Sequence, residues 1–201
     1  MPTVYVDSDD LKVSLALDGT TYADVDVDAA CIAASGAVEE VQGRDYGKSD
    51  EDEVRFFTPT DWETLSIDDL VELTTLRVAT TFGGTYETWT LDDDFRLTPL
   101  NAEGKGRPFT TLQAVNKRFP TGRLSVVEIT GIFGWPAPPQ QIIEATSIIA
   151  AQLIKRKRDA PFGFQVVNQE TAAYIARNDP MVVQLLNGLG RRALFVSAQL
   201  T

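Results

Sequence analysis

Three short runs of carboxylates are the residues best suited to chemistry in this chain. They are Glu39-Glu40, residues 50–53 and residues 92–94. Carboxylate oxygens bind hard cations, and paired carboxylic acids catalyse glycoside hydrolysis. None of the runs has the spacing of an EF-hand calcium loop, which needs an internal glycine and a closing glutamate. The pattern favours solvated turns, and the sequence predicts no metal site.

Histidine is absent, and Cys31 is the only cysteine. The lack of histidine removes the commonest general base and every Ser-His or Cys-His nucleophile pair. One cysteine forms no intrachain disulfide, which fits a reducing compartment or an assembly held by surface packing. The segments Gly83-Gly84 and Gly104-Lys105-Gly106 lack the spacing of phosphate-binding loops. We therefore expect a protein that is not an enzyme and uses no cofactor; a two-carboxylate glycosidase is the remaining chemistry, and no spacing predicts it.

Charge is distributed unevenly along the 201 residues, whose formal net charge is −11. Residues 1–54 carry −11, residues 55–135 carry −3 and residues 136–201 carry +3. An acidic chain argues against wrapping nucleic acid, which rewards a basic surface. Two uses remain open for the asymmetry: head-to-tail attraction between copies, or solubility. Membrane partners are not expected, because no apolar run approaches the ~18 residues that a span requires.

Basic residues near the end of the chain are candidate partner-interface residues. They are Lys155, Arg156, Lys157 and Arg158 in the last turn of a predicted helix, and Arg191 and Arg192 farther on. Cations in a last helical turn also complement the helix dipole, so a purely structural role stays open. Direct DNA contact is the weaker alternative in so acidic a chain. Salt links to an acidic N-terminal face or to a partner are the favoured interpretation.

The apolar residues Leu194, Phe195 and Val196 complete the set of interface candidates. They lie in a C-terminal segment that has no evident covering element in a small helical bundle. Pairing with an edge strand of a neighbour, or insertion into a cleft of a partner, would satisfy both the backbone groups and the apolar side chains. We expect one of these two modes of docking.

Hydrophobic periodicity predicts about four helices, two near each end of the chain. Asp7 is the expected N-cap of the first, and the second ends near Gly43. The third follows a proline-rich segment, and the last opens at Asp179-Pro180. The alanines of the second helix, together with Gly36, predict a face of small residues on which another helix packs closely.

Between the helices, period-two alternation and β-forming residues predict an antiparallel sheet. The predicted strands cover residues 54–57, 73–80, 85–91, 95–97 and 124–130. Trp62, Trp89 and Trp135 are expected in its core. Prolines at 136, 138 and 139 end the sheet and restart the chain as a helix. The fold class is therefore α+β, with N-terminal helices in residues 1–46, an inserted β-rich subdomain in 47–135, and C-terminal helices and a tail in 136–201.

Several strings in this order resemble the head-to-tail connector, or adaptor, proteins of long-tailed bacteriophages. They are TGIFGWP, the proline-rich helix start, KRKRDAPFG, NDPMVVQLL and the N-terminal VQGRDY. The resemblance covers most of the chain and is most specific between Gly131 and Gly163. The β insertion occurs in only some members of the family.

The resemblance implies a small antiparallel helical bundle of about four helices that carries the inserted β subdomain. Roughly twelve copies would form a ring beneath the portal protein, in the neck of the virion, after synthesis in the host cytoplasm. The ring would join the portal to the next connector or tail-terminator component. Genome DNA would pass through its channel without sequence-specific binding.

A second interpretation, independent of the resemblance, makes the β-rich part a binding module. Exposed aromatic rings on such a module would recognise carbohydrate or a host component, with the helices as scaffold. The positions of the three tryptophans distinguish the two readings, because a sugar-binding surface needs ring faces open to solvent.

Overall fold

The computed structural model describes residues 3–15, 24–81, 83–122, 126–159 and 167–189. They divide into two compact units. One comprises the described residues of the segments Met1–Asp45 and Pro138–Thr201, and the other is Tyr46–Ala137. The first unit is helical and the second is built on one antiparallel sheet. The protein is therefore α+β, with the sheet inserted in the sequence between helices, as predicted.

The helical unit contains five α-helices in the described part of the chain. They are α1 (Ser8–Ser14), α2 (Asp24–Gln42), α3 (Gln140–Asp159), α4 (Gln169–Asn178) and α5 (Pro180–Leu186). The prediction of about four helices omitted α4. Its buried face consists mainly of alanines, Ala172, Ala173 and Ala176, with Ile175. The Asn168 side chain caps this helix by accepting from the Thr171 amide at 2.9 Å, and its buried apolar residues share one face, so the prediction overlooked a local signal.

Side-chain caps fix two of the predicted helix starts. The Asp7 carboxylate accepts a hydrogen bond from the Asp9 amide at 2.8 Å, at the N-terminus of α1. The Asp179 carboxylate accepts from the amides of Met181 and Val182 at 2.9 and 3.2 Å, at the N-terminus of α5. Each cap satisfies amides that lack a partner within the helix. Both predictions are confirmed.

Small residues let α2 pack closely against α3 and α4. Ala30, Ala34 and Ala37 are fully buried on this helix. A Cβ atom added at Gly36 would lie 3.2 Å from the Gln169 side chain of α4, which is tighter than ordinary contact. The predicted small-residue face is therefore confirmed, and it is the surface on which the helical unit is assembled.

The described part of the β unit contains six strands: β1 (Glu53–Phe57), β2 (Thr64–Ala79), β3 (Glu87–Trp89), β4 (Phe95–Thr98), β5 (Phe109–Ala114) and β6 (Val126–Phe133). The strand order is β1-β6-β2-β5-β4, and β3 also pairs with β2; all pairs are antiparallel. A short 3₁₀ turn, Glu103–Lys105, precedes β5.

Two parts of this sheet were not predicted. The long strand β2 begins at Thr64, whereas the sequence predicted a strand only from residue 73. Its pairing with β6 shifts register between Leu70 and Glu72 and again between Leu73 and Thr75. Each shift breaks the strict alternation on which strand prediction relies. Strand β5 was also missed, because its six residues include two threonines and a glutamine and give little apolar contrast.

One face of the sheet covers a single hydrophobic core. The core includes Phe119, from the connection after β5, and large buried side chains from strands β2 to β6: Ile67, Leu70, Leu76, Trp89, Phe95, Leu112, Ile129 and Phe133. Trp89 and Phe119 stack with ring centroids 4.9 Å apart. This core allows the inserted unit to hold its own shape.

The chain enters and leaves the β unit at one place, where residues 46–49 meet residues 133–135. We call this pairing the basal clasp. The Ser49 amide donates to the Phe133 carbonyl at 2.9 Å, and the Trp135 amide donates to the Gly47 carbonyl at 3.1 Å. The rings of Tyr46 and Trp135 lie 5.2 Å apart. The prolines that follow Trp135 therefore begin where the two ends of the insertion pair with each other.

Candidate interaction surfaces

The predicted basic cluster lies at the C-terminal end of α3. Lys155 and Arg156 are exposed. Lys157 instead forms an ion pair with the carboxylate of Asp26 on α2. The side chain of Arg158 lies outside the described residues, as do Arg191, Arg192, Leu194, Phe195 and Val196. Lys157 therefore pairs with the acidic N-terminal part of its own copy, and the salt links expected with a partner stay a prediction.

A second ion pair joins α2 to α4. The Arg177 guanidinium lies 2.5 Å from the Glu40 carboxylate, and both side chains are about half exposed. Pairs of this kind contribute about 0–1 kcal/mol to stability, because water and salt screen them. Their main effect is on the surface: they neutralise part of the acidic face of α2. The exposed charges of Lys155 and Arg156 lie on a different helix, at the end of α3.

A tyrosine and two carboxylates fasten the N-terminal segment to α2. The Tyr5 hydroxyl lies 2.7 Å from Glu39 Oε1 and 3.1 Å from Asp45 Oδ1. A hydroxyl donates one proton, so the two acceptors share it. Burial raises the pKa of Glu39; the Tyr5 hydrogen bond opposes this shift and the charge of Asp45 adds to it.

Glu39→Gln is expected to stabilise the helical unit more at pH 7 than at pH 4. A carboxyl group whose pKa is raised by folding binds its proton more tightly in the native state than in the unfolded chain. Its ionisation therefore lowers the free energy of unfolding as pH rises above its ordinary value of 4.5. Glutamine stays neutral and can still accept from Tyr5. Urea unfolding of both proteins at the two pH values measures the difference, and an equal difference at both would contradict the assignment.

Among the described residues, strand β1 forms one edge of the sheet and pairs only with β6. Its residues alternate between the two faces, and Val54 and Phe56 lie on the face away from the core. They are 52 % and 55 % exposed. The acidic residues 50–53, which lead into and begin this strand, are also exposed. This edge could not be singled out from the sequence, because apolar residues occur at both alternating positions of VRFF.

Two of the carboxylate runs, residues 50–53 and 92–94, lie at a strand start and in a turn, whereas Glu39 and Glu40 lie on α2, so the predicted turn is wrong for that pair. Within the described ranges, no group of three or more His, Cys, Asp or Glu side chains is placed to hold a metal ion. Residues 92–94 form the turn before β4, where the Asp94 carboxylate accepts from the Thr90 amide at 2.9 Å and pairs with Lys117 at 3.0 Å. The Thr90 amide and the Lys117 ammonium lower the pKa of Asp94. This carboxylate stabilises a turn.

The tryptophans divide into two groups. Trp89 and Trp135 are buried, as predicted. The prediction for Trp62 is wrong: it is 43 % exposed, because it lies in the turn between β1 and β2 outside the core. The Arg118 guanidinium lies 4.1 Å from the centroid of its ring and covers one ring face. A sugar would have to compete with this cation for the ring, so the geometry does not favour carbohydrate binding.

None of the helices in the described part of the chain combines the length and the apolar character needed to cross a membrane.

Solved structures provide the similarities to known proteins. A chain in the neck of an empty gene transfer agent (GTA) particle, computed with C6 symmetry, matches with a TM-score of 0.51 and 18 % identity, over 87 % of this chain and 91 % of that one. A chain of the virion of a native gene transfer agent particle matches with a TM-score of 0.49 and 22 % identity, over 85 % and 88 %.

No protein-family model matches this sequence, and neither does any curated protein. The first structural match shows a shared fold that extends over both the helical and the β sequence segments. The chain therefore has the fold of a neck chain of a gene transfer agent particle, in agreement with its resemblance to head-to-tail connector proteins.

Proposed function

We propose that this protein is a structural subunit of the neck of a virion or virion-like particle. It forms a ring that docks on the portal protein and joins it to the next connector or tail component. The observation that carries the proposal is the fold shared with a neck chain over 87 % of the residues. The connector-like strings around the WPAPP segment support it independently.

The mechanism is geometric and requires no reactive group. Each helical unit is closely packed through α2, and each β unit has its own core, so both are suited to tile a ring as rigid bodies. About twelve copies would form the ring, as the resemblance to connector proteins implies. Genome DNA would pass through the channel without sequence-specific contacts, and the net negative charge of the chain would limit adhesion to phosphates.

Co-sedimentation with the portal ring of the same particle tests the proposal. Purified chain is expected to sediment with portal rings until a fixed ratio of the two proteins is reached. A chain that stays in the supernatant at every ratio would contradict the proposed role.

Lys155→Glu combined with Arg156→Glu is expected to weaken this association about tenfold, which corresponds to about 1.4 kcal/mol of binding free energy. Both side chains are exposed at the end of α3, so the folded chain should tolerate the change. The matched control is Lys105→Glu with Arg107→Glu, which reverses two exposed cations in the β unit. Equal weakening by both double variants would show a general charge effect rather than a contact at the end of α3.

A further inference from the structure

The outer edge of β1 is open for pairing. On its inner side, Glu53 to Phe57 pair in continuous register with Gly131 to Val127 of β6. In the described structure no strand pairs with its outer side, so alternate amide and carbonyl groups there face away from the sheet. Edge strands in natural proteins are commonly protected by proline, by charged side chains or by a bulge. The sequence EVRFF contains no proline, its ladder with β6 has no bulge, and its two charged side chains, Glu53 and Arg55, pair with each other at 2.7 Å.

Exposed apolar side chains accompany this open backbone. Val54 and Phe56 stand two residues apart on one face of the strand, and each exposes about half of its surface. An added strand would extend the sheet and cover part of both side chains. Strand addition of this type gains backbone hydrogen bonds and apolar contact together.

The acidic residues 50–53 make the two ends of the β1 edge chemically different. All four side chains are exposed, and they lie at the N-terminal end of β1. The apolar pair lies at the C-terminal side of these acids. A complementary strand would therefore carry positive charge at one end and apolar residues beside it.

The C-terminal segment of this chain has that pattern. Twelve residues, 190–201, follow the last described residue, and their sequence is GRRALFVSAQLT. Arg191 and Arg192 precede Ala193-Leu194-Phe195-Val196-Ser197, a run of five residues that equals β1 in length. In a parallel arrangement, Arg191 and Arg192 would lie beside Glu51 and Asp52. Leu194 and Val196 would then lie beside Val54 and Phe56.

We propose that the C-terminal segment of one copy adds as a parallel strand to the outer edge of β1 in a neighbouring copy. The proposal rests on the ring described above, because a closed ring requires two unlike and complementary surfaces on each copy. The edge of β1 and the C-terminal segment are two such surfaces. Backbone pairing and apolar contact supply the attraction, and the opposite charges set the direction of the added strand.

Disulfide trapping between two variants tests the pairing. Val54→Cys and Leu194→Cys are prepared as separate full-length proteins, mixed in equal amounts, assembled on portal rings and oxidised. A covalent dimer between the two variants is expected, since paired neighbouring strands bring Cβ atoms within disulfide range. The native thiol will not interfere, because Cys31 is 1 % exposed and burial raises its pKa to about 11.

Two further combinations test whether the added strand is parallel to β1 and whether it belongs to another copy of the chain. Val54→Cys with Leu200→Cys should give little dimer in the parallel arrangement, and a preferred link there would overturn it. The double variant Val54→Cys/Leu194→Cys reports on a link within one chain. A monomeric disulfide in place of covalent dimers would show that the segment folds onto its own sheet, which overturns the proposed pairing between copies.

Phe56→Lys should reduce the yield of the Val54→Cys to Leu194→Cys dimer about tenfold, since it removes an apolar contact and places a cation against the arginine-bearing segment. Leu100→Lys, at a position that is 69 % exposed elsewhere in the β unit, is the control and should leave the yield unchanged. Circular dichroism verifies that both variants are folded. An unchanged yield with Phe56→Lys would overturn the proposal.

Ring assembly on the portal and strand pairing at β1 are measured separately. Rings that form on the portal but give no dimer between the two variants would retain the connector function and exclude the β1 pairing. Absence of rings with the unmodified chain would exclude both.

Discussion

Alanine at position 134 is expected to prevent the β unit from closing. Gly134 has a φ angle of +108°, in a region that side-chain-bearing residues rarely adopt. A Cβ atom there would lie 1.7 Å from the Gly47 carbonyl oxygen and 2.7 Å from its carbonyl carbon. Both atoms belong to the backbone of the basal clasp, so no flexible side chain can move aside. We expect a loss of about 4 kcal/mol or more in the free energy of unfolding, or no soluble folded protein.

Two glycines of the same unit provide graded controls for this substitution. Gly104 has open space around its Cβ position and no positive φ, so Gly104→Ala should be neutral. Gly106 has a φ of +61° and also open space, so Gly106→Ala should cost about 1–2 kcal/mol from backbone strain alone. Urea unfolding measures the free energy of unfolding of all three variants. A Gly134→Ala protein within 1 kcal/mol of the unmodified chain would show that the clasp is not closed as described.

Asp69→Ala is expected to lower the free energy of unfolding by about 2–3 kcal/mol. Asp69 lies on β2 and is 7 % exposed. Its Oδ2 accepts the indole N–H of Trp135 at 3.1 Å, and its backbone carbonyl accepts the Gly134 amide at 2.7 Å. The substitution keeps the backbone contact but removes a buried acceptor and leaves a cavity beside the indole. Tryptophan fluorescence during urea unfolding is a suitable measurement.

Asp68→Ala is the matched control for that prediction. Asp68 is the preceding residue of the same strand, but its carboxylate is 41 % exposed and pairs with Arg55 at 3.1 Å. Water screens such a pair, so its removal should cost less than about 1 kcal/mol. Equal losses for the two variants would indicate that the Trp135 hydrogen bond stabilises the protein no more than the exposed Asp68–Arg55 ion pair does.

Local chemistry made most of the helical unit predictable. Asp7 and Asp179 cap helices within a few residues of their own position, and the stripe of Val27, Cys31, Ala34 and Val38 lies on one face of a single helix. Such features depend on neighbours three or four residues away. Helix α4 was overlooked although Asn168 caps it and its buried residues share one face, so it too was encoded locally.

The sheet and the interaction surfaces were less predictable because they depend on distant pairings. The N-terminal half of β2 pairs with β5, some forty residues farther along the chain, and bulges hide its alternation. Lys157 was a candidate partner-interface residue, and the sequence alone did not indicate that the packing of α3 on α2 brings it to Asp26. The open edge of β1 likewise follows from strand order, which the sequence of five residues does not contain.

Electron cryomicroscopy of the chain bound to the portal ring of its own particle would image the proposed neck ring itself. We expect a continuous ring of extra density on the portal, with the five helices and the six-stranded sheet fitted in every copy and an open axial channel. Portal rings without this density under saturating chain, or single copies bound at scattered sites, would contradict it.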